Sequence, residues 1–190
     1  MQRGEKENER EKSGMNDLID MIIPKELVHS FFFSENEIIV IPTHALQKIN
    51  TTEPFVYEAA FFSGIEAIKP WECPEESIPL LLEEWQTIKK ELDMLFAKRE
   101  VDDAKPLMKK GVGLFIQFIY WVNGRPAILA NRLDLNSLSI KPVNLSDRLE
   151  FILTRPALYH SFIQLTELMT EMNKHYVKAY IIKKASKHEA

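Results

Sequence analysis

Residues Gly111–Val122, GVGLFIQFIYWV, make a nearly continuous apolar run that ends in Asn123-Gly124-Arg125-Pro126. Asp102-Asp103-Ala104-Lys105 precedes it with helix-compatible polar residues, so the segment reads as one helix that turns apolar on every side. Such a helix has to be buried, in a protein core or in lipid. A bilayer span needs about 20 apolar residues, and this run stops well short. It is therefore the central helix of a helical domain, and the rest of the chain must supply its walls.

Periodicity supplies those walls. Leu81, Trp85, Ile88, Leu92, Leu95 and Phe96 recur at three- and four-residue spacing, which predicts a helix to about Arg99. Pro79 fits the first turn of that helix if Ser77 is its cap, whereas a Cys73 cap would bury the proline ring too deep. The buried helix spans about 103–121, with Asn123-Gly124 and Pro126 as its stop. Gly111 and Gly113 lower helix propensity there by about 1 kcal/mol each and so predict close packing. Gln117 needs a hydrogen-bond partner, by default a neighbouring carbonyl. Ser146 caps a helix Asp147–Leu153. Pro156 opens the longest helix, to about Lys184, with Leu158, Phe162, Leu165, Met169, Met172, Tyr176 and Tyr180 as its apolar stripe.

The first quarter is less regular. Asn16 or Asp17 caps a short helical turn through Leu18, Ile19 and Ile22, Pro24 opens a helix Lys25–Phe33, and Thr43 caps His44–Ile49. Ile38-Ile39-Val40-Ile41 is strand-like but lacks an obvious partner, and an isolated strand is marginal. A further helix begins at Glu53 or Pro54 with Phe55, Ala59, Phe62 and Ile65 on one side. Residues 127–145 read as an ordered crossing loop. The fold class is thus all-α, a single helical-bundle-like domain over 15–184 with a buried central helix and irregular loops. Residues 1–14 and 185–190 are polar enough to be disordered tails.

Charge and cysteine content limit the functional classes. Residues 1–100 carry 11 Lys/Arg against 20 Asp/Glu, and residues 101–190 carry 13 against 8. Lysines at the end of the last helix complement its dipole, and no aromatic or Gly-rich motif accompanies them, which disfavours nucleic acid as a partner. Cys73 is the single cysteine, and no apolar leader is present, so a reducing, cytoplasmic setting is expected. Glu72, Glu75 and Glu76 flank Cys73 and would raise its pKa, making it inert.

No Walker loop, G-x-G-x-x-G, G-x-S-x-G or H-E-x-x-H is present. His160, Gln164, Glu167 and Glu171 align on the polar face of the last helix, with His175 nearby, but one face is an incomplete metal-ligand set. No metal and no cofactor are expected. The candidate binding residues are Trp71, in the proline-bracketed Lys69-Pro70-Trp71-Glu72-Cys73-Pro74, and Arg155, Tyr159, His160, Glu167 and Glu171. Trp71 reads as a loop aromatic that anchors a partner. Arg155 and His160 stand where the last helix begins and suit an anion. The alternative for both is local packing, with Trp71 covering a core edge and Arg155 pairing with a nearby acid.

The stretches KPWECPEESIPLLLEEW (69–85), FIQFIYWVNGRP (115–126) and LSDRLEFILTRPALYHSFIQLTEL (145–168) resemble the YpoC-like family of uncharacterised proteins from Gram-positive bacilli. The resemblance implies a cytoplasmic, mostly helical protein and transfers no catalytic residue. The leading expectation is a non-enzymatic protein-interaction module with a cytoplasmic protein partner. The alternative is a small-molecule, anion or metal site in the helical bundle, catalytic or not. The 11 Phe, 5 Tyr and 3 Trp serve either one core or a dimer face, so a homo-oligomer stays open.

Overall fold

The computed structural model describes residues 18–130 and 133–188. In chain order the elements are strand β1 (Leu18–Ile22), strand β2 (Ile38–Pro42), and helices α1 (Val56–Phe62), α2 (Pro74–Lys98), α3 (Val101–Val122), α4 (Leu145–Thr154) and α5 (Tyr159–His188). Short 3-10 turns at Lys25–Leu27, Thr43–Gln47, Pro70–Glu72 and Leu135–Ser137 join them. The chain is mostly helical, with one small two-stranded sheet.

Helix α3 is the axis, and every residue from Gly111 to Trp121 is buried. Its two glycines mark where neighbours come closest. A Cβ on Gly111 would lie 2.9 Å from the Trp85 ring of α2 and 3.2 Å from Leu165 of α5. On Gly113 it would lie 3.0 Å from Pro54, just before α1. A side chain at either position would push a neighbour away, which is why the propensity penalty is accepted. α2 and α3 form a tight hairpin whose corner is Arg99, in the left-handed region at φ 63°. α3 ends where Gly124 takes φ 70° and the amide of Arg125 returns to the Tyr120 carbonyl, a glycine-terminated helix end. The Asn123 side chain then holds the crossing loop. It donates to the carbonyls of Ile119 and Ile140 and accepts from the amides of Ser139 and Ile140. That loop contributes Leu129, Leu135 and Leu138 to the core.

The first quarter departs from the expected helices. Leu18–Ile22 is a strand, paired antiparallel with β2 in the register Leu18↔Pro42, Asp20↔Val40, Ile22↔Ile38. Its residues alternate, Ile19 and Met21 facing inward and Leu18, Asp20 and Ile22 outward. Five residues are too few to separate a period of 2 from one of 3.6, and the missing partner of β2 lies 20 residues upstream. The expected helix Lys25–Phe33 shrinks to the 3-10 turn, followed by a reversal in which His29 and Phe33 bridge each other. The phenylalanines of 31–33 pack into a ring cluster with Phe55, Phe32 being buried. The expected helix His44–Ile49 is instead the 3-10 turn Thr43–Gln47, and α1 begins only at Val56 because Phe55 adopts φ 70°. The proposed caps Asn16 and Asp17, and most of the expected tails, lie outside the described residues; α5 stays helical through His188.

Three helix starts also differ, α4 beginning at Leu145 behind Asn144 (φ 51°) rather than at Asp147 behind a Ser146 cap. α2 begins at Pro74 with Cys73 before it, and Pro79 is accommodated inside the helix. The ring sits on the exposed side, where water solvates the disturbed turn. Ser77 is buried and spends its hydroxyl on the Pro70 carbonyl, 2.9 Å away. At the last helix, Pro156 lies in a turn, and the Ser161 hydroxyl closes that turn by donating to the Arg155 carbonyl at 2.6 Å.

Candidate functional site

The polar face anticipated on the last helix exists, and α4 covers part of it. Arg148 of α4 donates to Glu171 at 2.8 Å and to the Gln164 amide oxygen at 3.2 Å, and lies 3.7 Å from Glu167. Glu171 also accepts the Val143 amide at 2.9 Å and faces His175 at 3.8 Å. Partial burial raises the Glu171 carboxyl, but these hydrogen bonds and the charges of Arg148 and His175 outweigh it and hold the pKa below the usual range. Both oxygens of Glu171 are therefore occupied in tying α4 and residue 143 to α5. Arg148 is the residue that sequence reasoning missed. Its signal was a lone cation in the helix preceding an acidic face, and only packing shows that the two meet.

Arg155 and His160 come together around one ring. The Arg155 guanidinium lies 5.4 Å over Phe151, and the His160 ring meets Phe151 edge-on at 5.3 Å. Tyr159 is exposed and contacts Phe96 of α2 instead. The six candidates thus separate into the Arg148 cluster, the Phe151 cluster, Tyr159, and Trp71. Trp71 is inside the protein, 5% exposed, with Phe61 edge-on at 5.3 Å. The 3-10 turn Pro70–Glu72 rotates its indole inward, so the expected loop anchor covers the core edge. Cys73 behaves as expected: burial and then the charges of Glu76, Glu75 and Glu72 push its thiol upward.

A buried polar centre was not foreseen. Glu58 of α1 is fully buried and accepts hydrogen bonds from Gln117 Nε2 at 2.9 Å, Trp121 Nε1 at 2.7 Å and the Ala127 amide at 3.5 Å. Gln117 and Trp121 stand one turn apart on α3, so a single carboxyl links α1, α3 and the segment after it. Burial drives the Glu58 pKa up, and the donors from Trp121, Gln117 and Ala127 oppose that rise without cancelling it. A carboxyl placed among Val56, Tyr57, Ala59 and Ala60 was the available signal.

The surface carries two aliphatic patches. The outward face of the sheet presents Leu18, Ile22, Ile38 and Val40, each more than half exposed, around Asp20. The far end of α5 presents Val177, Tyr180, Ile181 and Ile182 beside Lys174 and Lys178. A groove of 940 Å³ lies between α4 and the loops at 29–31 and 133–136, with His29, Asp134 and Glu150 among its walls. Among the described residues no group of three His, Cys, Asp or Glu side chains is placed to hold a metal ion. No described helix is long and apolar enough to cross a membrane.

A family model described as YpoC-like protein matches residues 75–184. A protein of Bacillus subtilis (strain 168), named Uncharacterized protein YpoC, is 36% identical over 135 residues, covering 70% of this chain and 81% of its own length. The chain belongs to the YpoC-like family. No solved structure matches it significantly. The family match takes in α2 through most of α5, and so includes the Arg148 cluster and the lysine-flanked end of α5.

Proposed function

We propose that this protein is a non-enzymatic, cytoplasmic protein-interaction module that docks through exposed aliphatic surface. The supporting observation is the outward face of the sheet, where four aliphatic side chains surround a single carboxylate. Isolated two-stranded sheets are marginal in water, and contiguous exposed apolar surface on a rigid element marks an interaction site. Each Å² covered by a partner is worth about 25 cal/mol. Photo-crosslinking in cells from position 40 tests this, with position 91 on the solvated face of α2 as control. A discrete adduct from 40 that is lost on Ile22→Lys, and none from 91, is the expected result. No adduct from 40 or from 181 on α5 would refute the reading.

One arrangement favours the second reading, an anion site at the start of α5. Arg155 and His160 flank the same ring, Phe151, and both side chains are exposed. A panel of small phosphorylated and carboxylated ligands that raises the melting temperature, with the rise abolished by His160→Ala, would support it. No shift from any of them would remove it.

A further inference from the structure

The two aliphatic patches are complementary in sign, and among the described residues nothing covers either. Among the described side chains Met172 is the last fully buried one of α5, yet the helix continues to His188. At 1.5 Å per residue that is an arm of about 24 Å. Tyr176 secures its base, donating to the Pro74 carbonyl at 3.3 Å. Beyond it Val177, Ile181 and Ile182 are 45%, 60% and 58% exposed. Lys174 and Lys178 line the same strip, and Lys183, Lys184 and Lys187 follow in the sequence. The sheet face offers the counterpart: four aliphatics around Asp20, with Glu35 and Glu37 exposed in the turn that leads into β2.

The candidates for covering the sheet can be sorted by chemistry. Residues 1–17, which run directly into β1, contain only Met1 and Met15 as large apolar residues and so lack the surface to match it. Sheet against sheet in a symmetric pair would bring Asp20 toward its own copy, a like-charge contact. The α5 end has what the sheet lacks, aliphatic side chains flanked by cations. The wider charge split agrees, since residues 1–100 carry an excess of nine acids and residues 101–190 an excess of five cations.

We infer that the chain self-associates, the α5 end of one copy seating on the outer sheet face of a second. This rests on the interaction reading above and names the partner as the chain itself. A reciprocal exchange of arms closes a two-fold dimer and leaves neither patch exposed. One exposed patch is on the order of a few hundred Å². Two reciprocal contacts bury four of them, reaching the roughly 1,200 Å² at which specific interfaces begin.

Sedimentation equilibrium at low salt tests this on the full chain. The expected species has twice the 22.1 kDa chain mass. Val40→Asp and Ile181→Asp, both at exposed positions, are each expected to leave a folded monomer by circular dichroism. Asp20→Lys alone, and Lys174→Glu with Lys178→Glu, should each weaken association by about tenfold, and the three changes combined should restore it. A monomer at about 100 μM, a dimer indifferent to Val40→Asp and Ile181→Asp, or no recovery in the charge-swapped variant overturns the inference. If the chain is monomeric while position 40 still crosslinks to another protein, self-association fails and the interaction reading stands. A monomer whose Ile181 side chain is required for binding anionic vesicles assigns the arm to a lipid surface and also overturns it. Loss of every adduct refutes both readings.

Discussion

Replacing Trp121 by Phe tests the buried Glu58 centre, because it deletes one donor and keeps an aromatic ring. The indole N–H reaches Glu58 Oε1 at 2.7 Å in a site closed to solvent. A hydrogen bond to a charged group contributes about 1.5–3 kcal/mol, and the smaller ring leaves unfilled volume that adds to the loss. The expected destabilisation is about 3 kcal/mol where Glu58 is ionised. For a chain of this size that is a fall in melting temperature of roughly 6–12 °C. The pH dependence distinguishes this account from simple cavity formation. Glu58 is raised above its ordinary value in the folded state, so the folded protein holds that proton more tightly than the unfolded chain does. Its contribution to stability is complete below the unfolded pKa, about 4.5, and is lost as pH rises through the folded pKa. A neutral acid needs the Trp121 donor less than a carboxylate does, so the cost of Trp121→Phe should grow as pH rises through the folded pKa of Glu58. In a Glu58→Gln background the cost should not vary with pH. Calorimetry of the four proteins as a function of pH measures this. A Trp121→Phe cost that falls as pH rises, or that varies equally in the Glu58→Gln background, refutes the reasoning.

Gly111→Ala gains about 1 kcal/mol of helix propensity but forces a Cβ to within 2.9 Å of the Trp85 ring; overpacking costs about 1–3 kcal/mol, so chemical denaturation should show a net loss. Arg148→Met removes the cation holding Glu171, and a melting temperature lower by a few degrees is expected at pH 7. Because Glu171 sits below its ordinary pKa, its contribution is present above about 4.5 and lost as pH falls, so the variant should lose part of the wild-type acid sensitivity. Asn123→Ala strands two amides and two carbonyls of the crossing loop; hydrogen exchange at Ser139 and Ile140 should accelerate by more than tenfold, reflecting roughly 2 kcal/mol or more, while α2 amides stay protected.

Where a segment's pattern was long, the sequence determined the outcome. α2 and α5 follow from apolar periodicity over 81–96 and 158–180, α3 follows from the continuous apolar run 111–122, and the Asn123-Gly124 stop follows from backbone sterics that hold in any fold. The alignment of Gln164, Glu167 and Glu171 on one face is likewise a property of helical spacing. What lay beyond the sequence were the meetings between segments. β1 was unreadable because five residues satisfy two periods and pairing 20 residues away decides between them. Trp71 turned inward onto the Phe61 ring of α1, and Pro79 was tolerated because that side of α2 faces water. Arg148, Glu58 and Gln117 found their partners 16 to 69 residues away. Local propensity is set by neighbours along the chain, whereas a buried charge or a lone strand is stabilised only by groups that folding brings to it; that part belongs to the tertiary structure.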